Sequence, residues 1–163
     1  MGESGLTRLF SSQEAFEAAA GETARRWAAR EPGSLLVALH GDLGSGKTTW
    51  VRAMLRGLGY SGRVPSPTYT LVEQYALERL KIVHLDLYRL AADEELENLG
   101  LRDWLDEPGV WLLVEWPERA ASIETLADLV LRFEIVDPAS RRVTAAARTT
   151  KGAAAARVAD LDS

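Results

Sequence analysis

The sequence contains no cysteine, which excludes disulfides, thiolate nucleophiles and cysteine-ligated zinc. Its two histidines, His40 and His84, are too few for a histidine-rich metal centre. Basic residues are in deficit: 19 Lys and Arg against 24 Asp and Glu give a net charge of −5. Bulk charge of that sign opposes a nucleic-acid backbone and leaves only a local basic patch for such contacts. No apolar run approaches the roughly 18 residues of a membrane span, and the first residues lack the apolar core of a signal peptide. The expectation is a cytoplasmic protein with no membrane partner. What is present is ordinary for a globular chain: 163 residues, 47% hydrophobic and 26% charged. A chain of this length makes one domain and can bury about 70% of its unfolded surface.

The apolar pattern alternates between strand and helix. Residues 6–10 read as a short strand. Ser11, with Glu14 three residues on, reads as a capping box. It opens a helix with Phe16, Ala19, Ala20, Thr23 and Trp27 on its buried face and Pro32-Gly33 as its stop. Residues 34–39 are too short for a helix and apolar throughout, as in a strand buried on both faces. A glycine-rich turn and a helix over about 47–58 follow. Residues 60–70 carry two prolines and read as loop, and 71–75 and 81–87 as strands joined by a tight turn. An acidic helix is predicted over 93–105, a second wholly apolar strand over 110–114, and a hairpin from 129–135 and 142–146. Trp104 and Trp111 read as core. From about Arg148 the chain is Ala-rich without a stripe, so a domain over 1–147 is expected to end in a frayed tail over 148–163. Buried strands alternating with helices predict an α/β fold, with a mostly parallel central sheet extended by antiparallel edge strands at one edge.

Between the first buried strand and its helix lies Gly41-Asp42-Leu43-Gly44-Ser45-Gly46-Lys47-Thr48, which fits G-x-x-x-x-G-K-[ST] at every fixed position. Glycines let successive N–H groups converge on phosphate oxygens, and the helix dipole points to the same place. Lys47 suits the β- and γ-phosphates, and the Thr48 hydroxyl suits Mg²⁺. A chance glycine-rich turn would lack the flanking strand and helix that the mechanism requires. The expected architecture is therefore a three-layer P-loop NTPase. Such a site needs a strand-end carboxylate beside the metal. Glu115 directly follows the apolar strand 110–114 and Asp86 directly follows Ile82-Val83-His84-Leu85; either could orient the attacking water, and either could instead be a solvated strand end. Ser66, Thr68 and Thr70 lie on the proline-bearing loop, in the position of a γ-phosphate sensor or of a rigid connection. Arg89 and Arg119, just beyond the two acids, are candidates for a catalytic arginine. The sequence has no Asn-Lys-x-Asp guanine reader, which favours ATP over GTP.

Five fragments then occur in order. They are the loop 41–49, Ser66-Pro67-Thr68-Tyr69-Thr70-Leu71-Val72-Glu73, His84-Leu85-Asp86-Leu87-Tyr88-Arg89-Leu90, the acidic helix 94–101, and Val114-Glu115-Trp116-Pro117-Glu118-Arg119. Over about residues 6–145 the chain resembles the TsaE family, P-loop ATPases of bacterial tRNA threonylcarbamoyladenosine biosynthesis. The resemblance implies an ATPase that supports the TsaD–TsaB pair, which modifies N6 of adenosine 37 in tRNAs reading codons that begin with A; tRNA itself would be met only indirectly. It places Mg²⁺ on Thr48 and Glu115, catalytic roles on Lys47, Asp86 and Glu115, and nucleotide contacts on 41–49, Ser66, Thr68 and Trp116. Leu9, Phe10 and Ser11 fall in the region that surrounds the adenine. Two other readings remain: a small-molecule kinase, for which the chain has little room for a lid, and a binding module that ATP switches without hydrolysis.

Overall fold

A computed structural model describes residues 5–30 and 33–162. One sheet of seven strands runs through it in the order β1-β7-β6-β2-β5-β4-β3. The strands are β1 (Leu6–Phe10), β2 (Leu35–Gly41), β3 (Val72–Ala76), β4 (Lys81–Asp86), β5 (Val110–Glu115), β6 (Leu129–Asp137) and β7 (Ser140–Ala147). β6, β2, β5 and β4 are mutually parallel at the centre. Antiparallel strands extend both edges: β3 on β4 at one, β7 and β1 beyond β6 at the other. β2 and β5 carry the continuously apolar runs, and β4 is interrupted by His84; all three are buried on both faces as parallel strands must be.

Helices cover each face, which makes the three layers. On one side α1 (Gln13–Ala29) and α2 (Lys47–Gly57) lie over Leu35, Val37, Leu39, Trp111 and Phe133. On the other, α3 (Glu94–Leu99), α4 (Leu101–Asp106) and α5 (Ala121–Leu126) lie over Leu36, Val83, Leu112 and Val114. α1 is capped by Ser12, whose Oγ accepts from Ala15 N, rather than by Ser11; no capping box forms because Ala15 stands where the Glu would be needed. It ends on Arg30, and Pro32 lies outside the described residues. The acidic helix is two helices, because Gly100 adopts φ 103°, a left-handed turn that ends α3.

α1 and α2 touch backbone to backbone. A Cβ on Gly57 would stand 2.5 Å from Gly21 Cα and 2.6 Å from Gly21 O. Gly57→Ala is therefore expected to destabilise the protein, although alanine favours a helix by up to about 1 kcal/mol. Overpacking against unyielding backbone costs about 1–3 kcal/mol, and each kcal/mol lowers Tm by about 2–4 °C at this chain length. Thermal unfolding followed by circular dichroism checks this; an unchanged or raised Tm refutes it.

The tail does not fray. Thr150–Val158 form a helix, α6, capped by Thr149, whose Oγ1 accepts from Gly152 N. Ala155, Ala156, Ala159 and Leu161 join the core on the α1 side. No helix among the described residues is long and apolar enough to cross a membrane.

Candidate nucleotide site

The parallel order puts β2 beside β5 and β5 beside β4, so everything leaving their C-terminal ends meets at one sheet edge. In α/β sheets that edge is where ligands sit. Glu115 and Asp86 are register partners there, and Leu39, two residues before Gly41, pairs with Glu115. The loop 41–48 leaves β2 and turns into α2. Gly44 (φ 82°) and Gly46 (φ 105°) take backbone angles that side chains rarely adopt. At Gly46 a Cβ would also meet the Phe16 ring at 2.8 Å.

The functional side chains converge on a cleft of about 300 Å³ lined by loop residues 43–49 together with Ser66, Thr68, Asp86, Tyr88, Glu115 and Trp116. The Thr48 hydroxyl lies 2.9 and 2.8 Å from the two Glu115 carboxylate oxygens. Glu115 is buried and faces a second donor, His84 Nε2, at 2.6 Å. With a carboxylate at Nε2, that nitrogen carries the proton; Nδ1 is buried without a partner. Asp86 accepts from Thr68 Oγ1 at 2.9 Å and from Tyr88 N at 3.0 Å, and Thr68 in turn shares a hydrogen bond with Ser66. The Ser-Pro-Thr loop is thereby tied to the end of β4.

Lys47 donates to the Gly41 carbonyl, and its ammonium stands 3.7 Å from the centre of the Trp116 ring. Trp116 itself has φ 57°, a left-handed conformation that costs a non-glycine residue about 1–2 kcal/mol. Strain of that kind gathers at functional sites. Burial pushes the Lys47 pKa below its usual value, against the pull of Glu115, Glu118, Asp86 and Asp42. A phosphate held there would need the charged amine, so its affinity would be present below the lowered pKa and lost as pH rises through it. Binding of a fluorescent ATP analogue is expected to weaken on the alkaline side earlier than an ordinary lysine would allow. A flat profile up to the range of free lysine refutes this.

A second cleft of about 370 Å³ adjoins the first across Gly44, Gly46 and Thr49. Ser11, Ser12, Gln13, Phe16 and Arg141 line it, with Pro138 and Ala139 from the β6–β7 turn. Arg141 donates to the Gly44 carbonyl at 3.3 Å.

Most sequence-derived candidates meet at these two clefts: Leu43 to Thr49, Ser66, Thr68, Asp86, Glu115 and Trp116 at the first, and Ser11 at the second. Phe10 does not. Its ring is buried in the core, edge-on to Phe16 and Trp50, because the alternation of β1 turns that side chain inward. Asp42 and Gly41 line neither cleft: Asp42 is exposed and its carbonyl accepts from Ser45 N, and the Gly41 carbonyl accepts from Lys47. Arg89 stacks on Tyr69 and Arg119 on Tyr88, and neither lines the cleft. Sequence reasoning missed Arg141 and Gln13, which carry no motif, and Tyr88 and His84, which sat inside a quoted fragment without an assigned role.

A glycine loop between a buried parallel strand and a helix, with two carboxylates at the ends of the next strands, defines the P-loop NTPase class of α/β proteins. Residues 10–144 match the family model of the threonylcarbamoyl adenosine biosynthesis protein TsaE. The chain belongs to the TsaE family, and its part is in the biosynthesis of threonylcarbamoyladenosine in tRNA. It is 45% identical over 119 residues to the tRNA threonylcarbamoyladenosine biosynthesis protein TsaE of Haemophilus influenzae, covering 73% of this chain and 74% of that one. The protein of the same name from Aquifex aeolicus is 38% identical over 113 residues, 68% of this chain and 76% of its own. The crystal structure of Bacillus subtilis YdiB superposes with a TM-score of 0.73 at 27% identity, covering 94% of this chain and 92% of that one.

Proposed function

We propose that this cytoplasmic protein binds ATP with Mg²⁺ on the loop 41–48 and hydrolyses it, slowly alone and faster with the TsaD–TsaB pair. The observation that carries the proposal is the meeting of Thr48 with Glu115 at 2.8–2.9 Å, beside a buried Lys47. A hydroxyl and a carboxylate held this way make the hard-oxygen set that Mg²⁺ takes, so the residues present fit the ion. Bound there, Mg²⁺ would polarise the β- and γ-phosphate oxygens.

The chain's own groups do the rest. Loop N–H groups and the N-terminus of α2 cradle the phosphates, and Lys47 neutralises charge as it develops on the leaving oxygen. Lys47 must exchange its bond to the Gly41 carbonyl for phosphate, a short movement since it already borders the cleft. Asp86, tied to the Ser-Pro-Thr loop, orients the water. The water oxygen bonds to the γ-phosphorus, the bond to the β–γ bridging oxygen breaks, and ADP and inorganic phosphate leave with the water's proton passed to solvent or phosphate. The second cleft, between Ser11, Phe16 and Arg141, receives the adenosine end. The acidic surface charge agrees with a subunit that meets tRNA only through its partners.

The test is ATP turnover by the purified protein, alone and with a TsaB–TsaD pair, with Lys47→Ala as control. Turnover that rises with the pair and disappears in the control supports the proposal. Turnover indifferent to the pair removes the partner assignment, and none under either condition removes the ATPase.

A further inference from the structure

Among the described residues, one cluster outside the nucleotide cleft has polar atoms that the fold leaves unused. His40, the last residue of β2 before Gly41, has a glutamate against each ring nitrogen. Nδ1 lies 3.4 Å from Glu118 Oε2, on the 3-10 turn Pro117–Arg119, and Nε2 lies 2.8 Å from Glu124 Oε1, on α5. The second contact is close but off the hydrogen-bonding axis: both of its atoms are shut off from solvent and neither makes a hydrogen bond. Buried polar atoms without partners are costly. Two of them at about 3 Å, not aimed at each other, have the spacing of neighbouring ligands around a cation with bonds of about 2.0–2.2 Å.

We propose that His40, Glu118 and Glu124 form a second metal site, independent of nucleotide, that takes Zn²⁺ or the chemically similar Co²⁺. The three ligand atoms lie within 4.8 Å of one another. One imidazole nitrogen with two carboxylate oxygens is a borderline set that favours these ions over Mg²⁺ or Ca²⁺. Glu118 is exposed and its side chain can swing the remaining distance, whereas His40 and Glu124 are already at ligand spacing. Burial pushes the His40 pKa below its usual value against the pull of Glu124 and Glu118, which leaves the ring neutral and able to ligate. Arg132, its register partner on β6, and Arg148 also face the ring and oppose a cation. The two carboxylates offset the two arginines, so the cluster is neutral before the ion enters, and removing Arg132 leaves it net negative toward a cation.

The site would act on its neighbour. Glu118 follows Trp116 by two residues and is close enough to Lys47 to raise its pKa, while Trp116 covers the same ammonium. A metal that holds Glu118 fixes the turn carrying Trp116 and withdraws a carboxylate from Lys47.

The experiment titrates the metal-stripped, nucleotide-free full chain with Co²⁺ and follows its visible absorption. One equivalent is expected to develop a band that Zn²⁺ bleaches. His40→Ala should remove it. Glu124→Gln should weaken binding by at least the tenfold or so that even outer-shell partners are worth. Arg132→Gln should tighten it. Glu115→Gln should leave it in place, which separates this site from the nucleotide cleft and the proposal from the ATPase reading. No band at one equivalent, a band that survives His40→Ala in a folded variant, or one lost with Glu115→Gln would each overturn the assignment. Circular dichroism reports folding; if His40→Ala unfolds, Glu124→Gln on the surface of α5 carries the same decision.

Discussion

Glu115→Gln is expected to slow ATP turnover by about a hundredfold to a thousandfold, the loss typical when one preorganised charge-stabilising group is removed from a water-poor site. ATP should still bind within a few-fold, because the loop N–H groups and Lys47 are untouched. The substitution keeps the shape of the side chain and removes one negative charge from a group that is 3% exposed. It also puts an amide, with one oxygen and one NH₂, where two carboxylate oxygens faced Thr48 and His84. The amide oxygen can keep both donors at the Oε2 position, but an NH₂ then stands where Oε1 was, so a metal on this side would lose one oxygen along with the charge. Single-turnover hydrolysis and a separate binding isotherm make the measurement. Loss of both in proportion would place Glu115 in binding alone. Partner-dependent modification that survives the loss of hydrolysis would favour the other reading, a module that ATP switches without being consumed. The Ser66–Thr68–Asp86 hydrogen bonds supply a loop through which such a switch could act.

The parts of this site that the sequence made legible are those whose chemistry constrains several consecutive residues. A phosphate loop needs glycines at fixed spacing, and the strand before it must be buried on both faces; both features are local in the sequence. Glu115 and Asp86 were legible because each is a charge directly after an apolar strand. That they pair across β4 and β5 depends on strand order, which no local pattern states. Phe10 shows the opposite case. It is the neighbour of a residue that lines the second cleft, yet strand alternation sends Ser11 to that cleft and Phe10 to the core. Arg141 reaches the loop from a hairpin 97 residues away from Gly44. No periodicity carries such a contact. The second antiparallel edge was hidden for a similar reason, since β3 looks like any short amphipathic strand until β4 is placed inside the sheet. The 3-10 turn and α5 are short and follow a left-handed Trp116, so their helical spacing never accumulates.

The tail was misread because alanine writes almost no stripe, and its removal is expected to have the largest effect on stability. Deleting 148–163 should unfold the protein at physiological temperature or lower its Tm by well over 10 °C. α6 is held at both ends. Asp128 accepts from the Thr149 hydroxyl at 2.7 Å and from Leu36 N at 2.9 Å, which links the helix start to β2. Asp160 N donates to Thr23 Oγ1, and its carboxylate pairs with Arg8 at 3.2 Å. In between, Gly152 lies so close to the Asp128 carbonyl that no Cβ would fit, and Ala155 O accepts from the buried Trp27 Nε1 at 2.9 Å. Without the tail, Trp27 loses its acceptor, a cost of about 1–3 kcal/mol. Leu161 is 1% exposed, and emptying a site like it costs about 2–5 kcal/mol. Those two terms alone compare with the 5–15 kcal/mol that holds a typical domain together. At about 2–4 °C per kcal/mol, the shift is large on a thermal melt. Leu161→Ala in the full chain isolates the packing term and should lower Tm by roughly half as much as the deletion. A truncated chain that melts within a few degrees of the full one would mean that α6 decorates the fold rather than completing its core.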